Sequence, residues 1–347
     1  MEIQHGYESG EDLTESRPYE RIPRQHAADI ATKILGGAGY SQAHVEVMAR
    51  NMVEAQAQEC HSHGLYRLVS CSTVAESGLV NLTATPEVTD RAPGVVAVDA
   101  KGGNSLLAFQ AGVGQLVEKA RASGIAALAV NDCFHYSALW WEVEQLSAQG
   151  LVALAMTPTH PYVAPFGGTQ PLLGTNPLAF SWPRPDGEPY TFDFATSAVA
   201  RGEVELRSRQ GEALPEEWAI DDAGQPTTDS TKALAGALLP FGRHKGSAIS
   251  TMVELMAGPL IGDLLSCQTA EPGSSARKGV QHGELVIAID PGRFGVSLET
   301  AERLFEEISD QGARLPSERR RAAKREAAKA GLLVASHLLA DLERRAA

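Results

Sequence analysis

The stretch 157–228 most constrains the fold. It is rich in glycine and proline, with short apolar runs at 178–181 and 190–194, and reads as a β-rich unit with long loops. The chain around it follows other periods. From Gln25, Ala28, Ile30, Ile34 and Leu35 share a helical face that Gly36, Gly37 and Gly39 end. Ser41 caps a second helix striped by Val45, Met48, Met52 and Ala55, and a third stops near Gly78. Strands are expected at 86–88, 95–98, 125–130 and 151–156, and helices at 105–122 and 137–149. Downstream, 231–239 reads as a weak helix and 245–261 as a strong one. The segment 267–281 reads as a flexible loop, 284–289 as a strand, and the tail from 297 as charged helix. The class is α/β, of the α+β kind, without internal repeats.

Composition narrows the function. The 347 residues suffice for two or three packed units, and 43% hydrophobic content suffices for a real core. A formal net charge of -13 argues against nucleic acid and anionic membrane as partners, because phosphates need clustered Lys and Arg. A small anionic substrate would need a local positive cluster. Cys60, Cys71, Cys133 and Cys267 form no Cys-x-x-Cys pair and read as free thiols of a reducing compartment. The polar N-terminus lacks the apolar core of a secretory signal, and no apolar run is long enough to span a bilayer. The expectation is a cytoplasmic protein with a disordered leader over 1–24.

Several clusters offer chemistry. In HSHGLYR at 61–67, a histidine is a natural proton donor and an arginine one turn on can grip a carboxylate with two parallel bonds. The same residues also fit a plain helix start capped by Ser62. A metal reading of Cys60, His61, His63 and His135 lacks a second clustered pair, so no metal is expected. Residues 131–140 follow a buried strand and open a helix. That junction either aims N–H groups at an anion such as pyrophosphate or holds a satisfied histidine. PFGG at 165–168 and LGTNP at 173–177 are turns whose small residues would let a flat ring lie against backbone. DFATS at 193–197 offers an acid and hydroxyls for a ribose, and Arg201 a cation for phosphate. LPFGRHKG at 239–246 precedes a helix. The basic run at 314–321 is either a solvated helix face or the positive spot for an adenosine 2′-phosphate.

No G-x-G-x-x-G follows a strand, and neither a G-x-x-x-x-G-K-[ST] loop nor a G-x-S-x-G elbow occurs. The ordered set SHGLYR, NDCFHY, VAPFGG, LGTNP, DFATS, PTTD, LLPFGRHKG and LPSERR instead resembles the malate/L-lactate dehydrogenase-like family, over nearly all the chain after residue 24. The resemblance implies a non-Rossmann NAD(P)-binding fold with a mixed, largely antiparallel sheet. It also implies a helical domain from both termini and a homodimer with its site near the subunit interface. The chain then divides into a leader (1–24), a helical domain (25–90 with 293–347), a central α/β domain (91–130 with 225–292) and a β-rich cofactor domain (131–224).

Within that family, HYSALW at 135–140 is similar to the HFAALW of the Δ1-piperideine-2-carboxylate/Δ1-pyrroline-2-carboxylate reductases. This implies reduction of a cyclic imino acid to L-pipecolate or L-proline with NADPH, NADH being the other choice. The resemblance makes His63 the proton donor, Ser62 its relay neighbour and Glu203 the relay acid, where relatives carry Asp. It makes Arg67 the anchor of the substrate carboxylate and Thr175, Arg201 and Gly202 further substrate contacts. Cofactor contacts fall on His135, Tyr136, Ser137, Ala138, Leu139, Asp193, Phe194, Ala195, His244 and Lys245, and on Arg314, Leu315, Pro316, Ser317, Glu318, Arg319 and Arg320. The competing readings are a 2-hydroxy-acid dehydrogenase of the same family, a Ser/His hydrolase and an inactive binding module.

Overall fold

The computed structural model describes residues 18–185, 187–269, 281–295 and 298–347. The described chain opens with β1 (Tyr19–Ile22), α1 (Arg24–Gly37), α2 (Gln42–Ala57) and α3 (Arg67–Glu76). The central part follows: β2 (Glu87–Ala92), β3 (Val95–Asp99), α4 (Ser105–Ser123), β4 (Ile125–Phe134), α5 (Trp140–Ser147), β5 (Val152–Met156), β6 (Leu178–Trp182) and β7 (Tyr190–Phe194). A small lobe holds α6 (Arg201–Gln210), β8 (Ala219–Ile220), β9 (Pro226–Thr227), α7 (Ser230–Ala235) and β10 (Ala237–Leu238). The chain returns through α8 (His244–Ala257), α9 (Ser266–Thr269) and β11 (Gln281–Ile289). It ends in α10 (Glu299–Asp310), α11 (Glu318–Ala330), β12 (Leu332–Ala335) and α12 (Ser336–Ala346).

One sheet organises the molecule, in the order β2-β3-β4-β11-β5-β6-β7. Only β3 and β4 run parallel; every other neighbouring pair is antiparallel. This is the mixed, largely antiparallel sheet expected, and its strand order is not that of a doubly wound nucleotide fold. Helices α4 and α5 bury Phe109, Leu116, Leu139 and Leu146 on the sheet residues Val96, Val98, Leu128 and Val286. Asn104 caps α4 by accepting the Leu106 N–H at 3.0 Å. Gly112 lies flush on the sheet, where a Cβ would run into Leu128 and Val98. A second core joins α1, α2 and α3 to Leu332, Val334, Leu339 and Leu342, so the two chain ends build one helical layer. No helix of the described residues is long and apolar enough to cross a membrane.

Several expectations change. Tyr19–Ile22, assigned to the disordered leader, pairs antiparallel with β12, whose Leu332–Ala335 had read as helix. Each short strand holds the other in place, and neither shows a local signal; residues 1–17 lie outside the described residues. The strand expected at 125–130 continues to Phe134 because Gln281 and His282 pair with Phe134 and Cys133. The helix expected over 231–239 breaks at Gly236. Asp229 caps its start, and Ala237–Leu238 leave it to pair with β8. The β-rich stretch contains a helix, α6, whose polar surface hides it. Its i,i+4 pairs Arg201–Glu205 and Arg207–Glu203 support it, and only Val204 is fully buried. The expected loop over 267–281 begins inside the helix Ser266–Thr269, Gln281 starts β11, and 270–280 lie outside the described residues.

One joint between the layers depends on pH. His44 is buried; its Nε2 accepts the Asn104 N–H at 3.4 Å, which leaves its proton on Nδ1, 2.8 Å from Ser41 Oγ. Burial pushes the imidazole down to about 4 from an ordinary 6.5. Between those values the unfolded chain takes the proton and the folded chain refuses it. The stabilisation is therefore complete above about pH 6.5 and is lost as pH falls towards about 4. Thermal melts across this range should show the midpoint falling with acidity, with a shallower slope for His44→Gln.

Candidate active site

The turn carrying SHGLYR is set by a glutamine from α2. Gln56 Oε1 accepts the Leu65 N–H at 3.1 Å, and Nε2 donates to Leu333 O at 2.6 Å and lies 3.1 Å from His61 Nδ1. Gly64 presses on Gln56 with no room for a Cβ. The turn is thus tied to α2 and β12 before any ligand arrives. Ser62 Oγ lies 3.0 Å from His63 Nδ1 and is exposed. Burial first, then the Arg67 guanidinium and the His135 ring, push the His63 imidazole down to about 3. Arg67 opens α3 with its Nε buried and without a hydrogen-bond partner. Among the described residues no carboxylate pairs with it; Glu205, the acid that influences it, pairs with Arg201 at 3.4 Å. A buried guanidinium without an anion costs several kcal/mol of desolvation that a bound carboxylate would offset.

Of the residues expected to hold the cofactor, Asp193 and Arg320 meet the start of α5, but not as anticipated. Asp193 Oδ2 accepts the Trp140 N–H at 2.9 Å, and the Leu139 N–H also bonds to this carboxyl. The N–H groups expected to face a pyrophosphate therefore cap on the protein's own acid, and that carboxyl is no free ribose ligand. Burial nonetheless raises it to about 6. Ser317 Oγ donates to Thr191 O at 2.7 Å. Arg320 bonds Glu144 at 2.6 Å and Gln58, and its guanidinium stacks 4.5 Å over Trp140. Arg320 is thus a clamp joining α2, α5 and α11, whereas Arg314 and Arg319 are exposed and Glu318 sits in the first turn of α11. Tyr136, Leu139 and Leu315 are buried in the protein, and Pro316 is half-buried. The surface left for a ligand comes from Phe194, which meets Phe241 edge-on at 5.7 Å, from half-buried Ala138 and Ala195, and from exposed His244 and Lys245. The buried Ser137 Oγ has no partner.

The loops at 173–177 and 193–197 are bonded to each other and to their neighbours. Thr196 bonds Thr175 O through its N–H (2.7 Å) and its hydroxyl (3.1 Å), and Ser197 Oγ donates to Val199 O at 2.7 Å. These hydroxyls, read as ribose contacts, are engaged within the protein. Thr175 Oγ1 lies 3.1 Å from Thr159 Oγ1. Glu254 of α8, buried and unforeseen, accepts Asn176 Nδ2 (2.7 Å), Gly174 N–H (3.2 Å) and Ser266 N–H (2.8 Å). Glu254→Ala leaves the Gly174 and Ser266 N–H groups unpaired, while Asn176 keeps its bonds to Ser250, and should lower unfolding stability by about 2–4 kcal/mol in denaturant titration.

Two further residues make their side-chain contacts within the small lobe. Arg201 stacks 4.4 Å over Tyr162 and bonds Leu234 O, with Gly202 behind it in the first turn of α6. Glu203, read as the relay acid, accepts from Arg207 at 2.8 Å and is not among the groups acting on His63. The acids that lie near an imidazole of this region are Glu142 and Glu284, beside His135. With His135 they form a cluster whose donor atoms lie within 4.8 Å of one another, the described group able to hold a metal ion. Residues on α5, β11 and the end of β4 share no sequence period that could have revealed it.

This arrangement sits on a fold with well-defined relatives. The sequence profile of malate/L-lactate dehydrogenase matches residues 22–343. The chain belongs to this family. A family member named Δ1-pyrroline-2-carboxylate/Δ1-piperideine-2-carboxylate reductase, from Pseudomonas aeruginosa, is 51% identical over 327 residues, covering 93% of this chain and 98% of that relative. A Δ1-pyrroline-2-carboxylate reductase from Pseudomonas fluorescens is 50% identical over 329 residues, with coverage of 93% and 98%. The crystal structure of the Δ1-piperideine-2-carboxylate reductase from Pseudomonas syringae pv. tomato superposes with a TM-score of 0.90 at 37% identity, over 94% of this chain and 99% of that one. Membership makes the protein an oxidoreductase of the nicotinamide-dependent kind.

Proposed function

We propose that the protein reduces a small cyclic imino acid bearing a carboxylate on the imine carbon, of the Δ1-pyrroline-2-carboxylate or Δ1-piperideine-2-carboxylate type, to L-proline or L-pipecolate. The observation that carries this reading is the buried, anion-less Arg67 beside His63, in a chain half identical to reductases named for those substrates. The substrate carboxylate completes Arg67 and points the imine carbon outward, an orientation effect. His63 is neutral in the free enzyme. Burial is the main cause that depresses the imidazole; a carboxylate on Arg67 removes the repulsion that adds to it and puts a negative charge nearby, which favours His63 carrying a proton to the ring nitrogen. Ser62 holds Nδ1 and fixes which ring nitrogen faces the substrate.

The rim fits a nicotinamide dinucleotide. It offers the exposed Phe194 ring, the unpartnered Ser137 hydroxyl, the exposed His244 ring and the cations Lys245 and Arg319. Bound there, a reduced nicotinamide supplies the hydride. The exposed Arg314 and Arg319 support NADPH over NADH, by pairing with the 2′-phosphate. Arg319→Ala should raise the NADPH dissociation constant about tenfold and leave that for NADH within twofold, by fluorescence titration.

The reading as a whole is tested by following cofactor oxidation with pyrroline-2-carboxylate, piperideine-2-carboxylate and 2-oxo acids. Turnover confined to 2-oxo acids would replace it with a 2-hydroxy-acid dehydrogenase. The exposed Met252 and Leu255 on α8 support a homodimer, which light scattering tests. Four free cysteines support a cytoplasmic location.

A further inference from the structure

Next to the His63–Arg67 site lie two acids with nothing to hold them. Glu142 on α5 and Glu284 on β11 are completely buried. None of their four carboxyl oxygens has a hydrogen-bond partner, beyond the influence of Glu142's own amide. The ring of His135 closes the triangle: Nε2 is 3.7 Å from Glu284 Oε2 and is itself buried without a partner. No lysine or arginine of the described residues pairs with either acid. The surrounding titratable groups are Asp193, Cys133 and Tyr136, whose charges would add to the repulsion, and His282 and Arg67, which act on His135. Two carboxylates this close in a dry interior cannot both stay ionised. Burial holds Glu284 at about 8 and Glu142 well above the usual range, and pushes His135 down to about 3. In the free enzyme the protons of this cluster therefore sit on the carboxyls.

The site beside them lacks a stored proton. His63 is neutral, and Arg67 keeps its own protons. We propose that the Glu142–Glu284 pair is the proton store of the active site, feeding the substrate nitrogen through His135 and His63. The inference rests on the imino-acid reading. In one turnover Glu284 passes its proton to His135 Nε2, His135 releases its Nδ1 proton towards His63, and His63 protonates the ring nitrogen. The imine carbon accepts the hydride and the C=N double bond becomes a single bond. The pair is left with one proton shared between two carboxyls and a single negative charge, a state that the close approach of the acids stabilises. Solvent returns the proton after product leaves. Glu142, Glu284 and His135 act through His63 and are positioning residues.

Infrared spectroscopy of the substrate-free enzyme reads the store directly. A protonated carboxyl band should be present at neutral pH, fade as pH rises past about 8 and vanish in the Glu142→Gln/Glu284→Gln double variant. In turnover, Glu284→Gln should lower kcat roughly 10- to 100-fold with KM within twofold. It should also erase the alkaline limb of the kcat–pH profile and keep the thermal midpoint at or above the native one. Absence of the band, or a native kcat–pH profile in folded Glu284→Gln, overturns the proposal. So does one divalent metal ion per chain that co-purifies with the native enzyme and is lost in Glu284→Gln, since the acids would then be ligands. A native enzyme inert to every imino acid sinks the reading in the preceding section, while the substrate-free infrared titration still decides whether the pair holds a proton.

Discussion

Replacing His63 with alanine should lower kcat by roughly two to four orders of magnitude while the protein stays folded. The imidazole is the titratable group next to Arg67 on the SHGLYR turn, and Ser62 holds its Nδ1 at 3.0 Å. Glu203, which a relay would need, is turned to Arg207, so no second acid takes over. Ser62→Ala should lose far less, within about tenfold, because it removes orientation and leaves the proton carrier. The check is steady-state cofactor oxidation with pyrroline-2-carboxylate on purified, folded variants. Near-native turnover by His63→Ala would exclude the imidazole as donor.

Arg67→Ala should act on the other parameter. Truncating one partner of a buried charge pair costs about 2–5 kcal/mol of binding, so KM should rise roughly 30- to 5000-fold. The kcat should fall less, because the proton route stays in place. Arg67→Lys should recover only part of the loss, since an ammonium cannot bond both carboxylate oxygens in parallel. Stability should move the opposite way. The free enzyme carries a buried guanidinium whose Nε has no partner, so its removal should leave the thermal midpoint unchanged or higher. An unchanged KM, or a collapsed fold, would show that Arg67 serves the scaffold rather than the substrate.

The local elements were legible in the sequence to differing degrees. β7 falls on the residues its alternation marks, and α4 runs from its Asn104 cap to Gly124, whose φ of 86° ends it. The SHGLYR turn was legible because its reacting groups lie within one turn of backbone. Long-range pairing was not. β1 and β12 stabilise each other across the whole chain, α6 has no apolar stripe, and Gln56 and Glu254 are polar residues among others in α2 and α8, with no local signal of their bonds.

The role of several motif residues was settled by contacts the motif does not contain. Asp193 follows a strand and precedes hydroxyls, as a ribose ligand would, yet its carboxyl faces the amides of Leu139 and Trp140. Arg320 belongs to a basic run, yet its charge is taken up by Glu144 and its face by Trp140.

Periods of two and 3.6 residues and short motifs act over a few residues, so the helices and strands of the central sheet and the nearness of His63 to Arg67 on one turn were legible in the sequence alone. Where Glu203 points, what Asp193 binds, and that Glu142 and Glu284 meet beside His135 were decided only when the sheet set β11 between β4 and β5 with α5 packed on it. The physical reason is desolvation. A carboxyl group has the same chemistry anywhere in a sequence, and only the packed interior sets whether it caps a helix, pairs with a cation or keeps its proton.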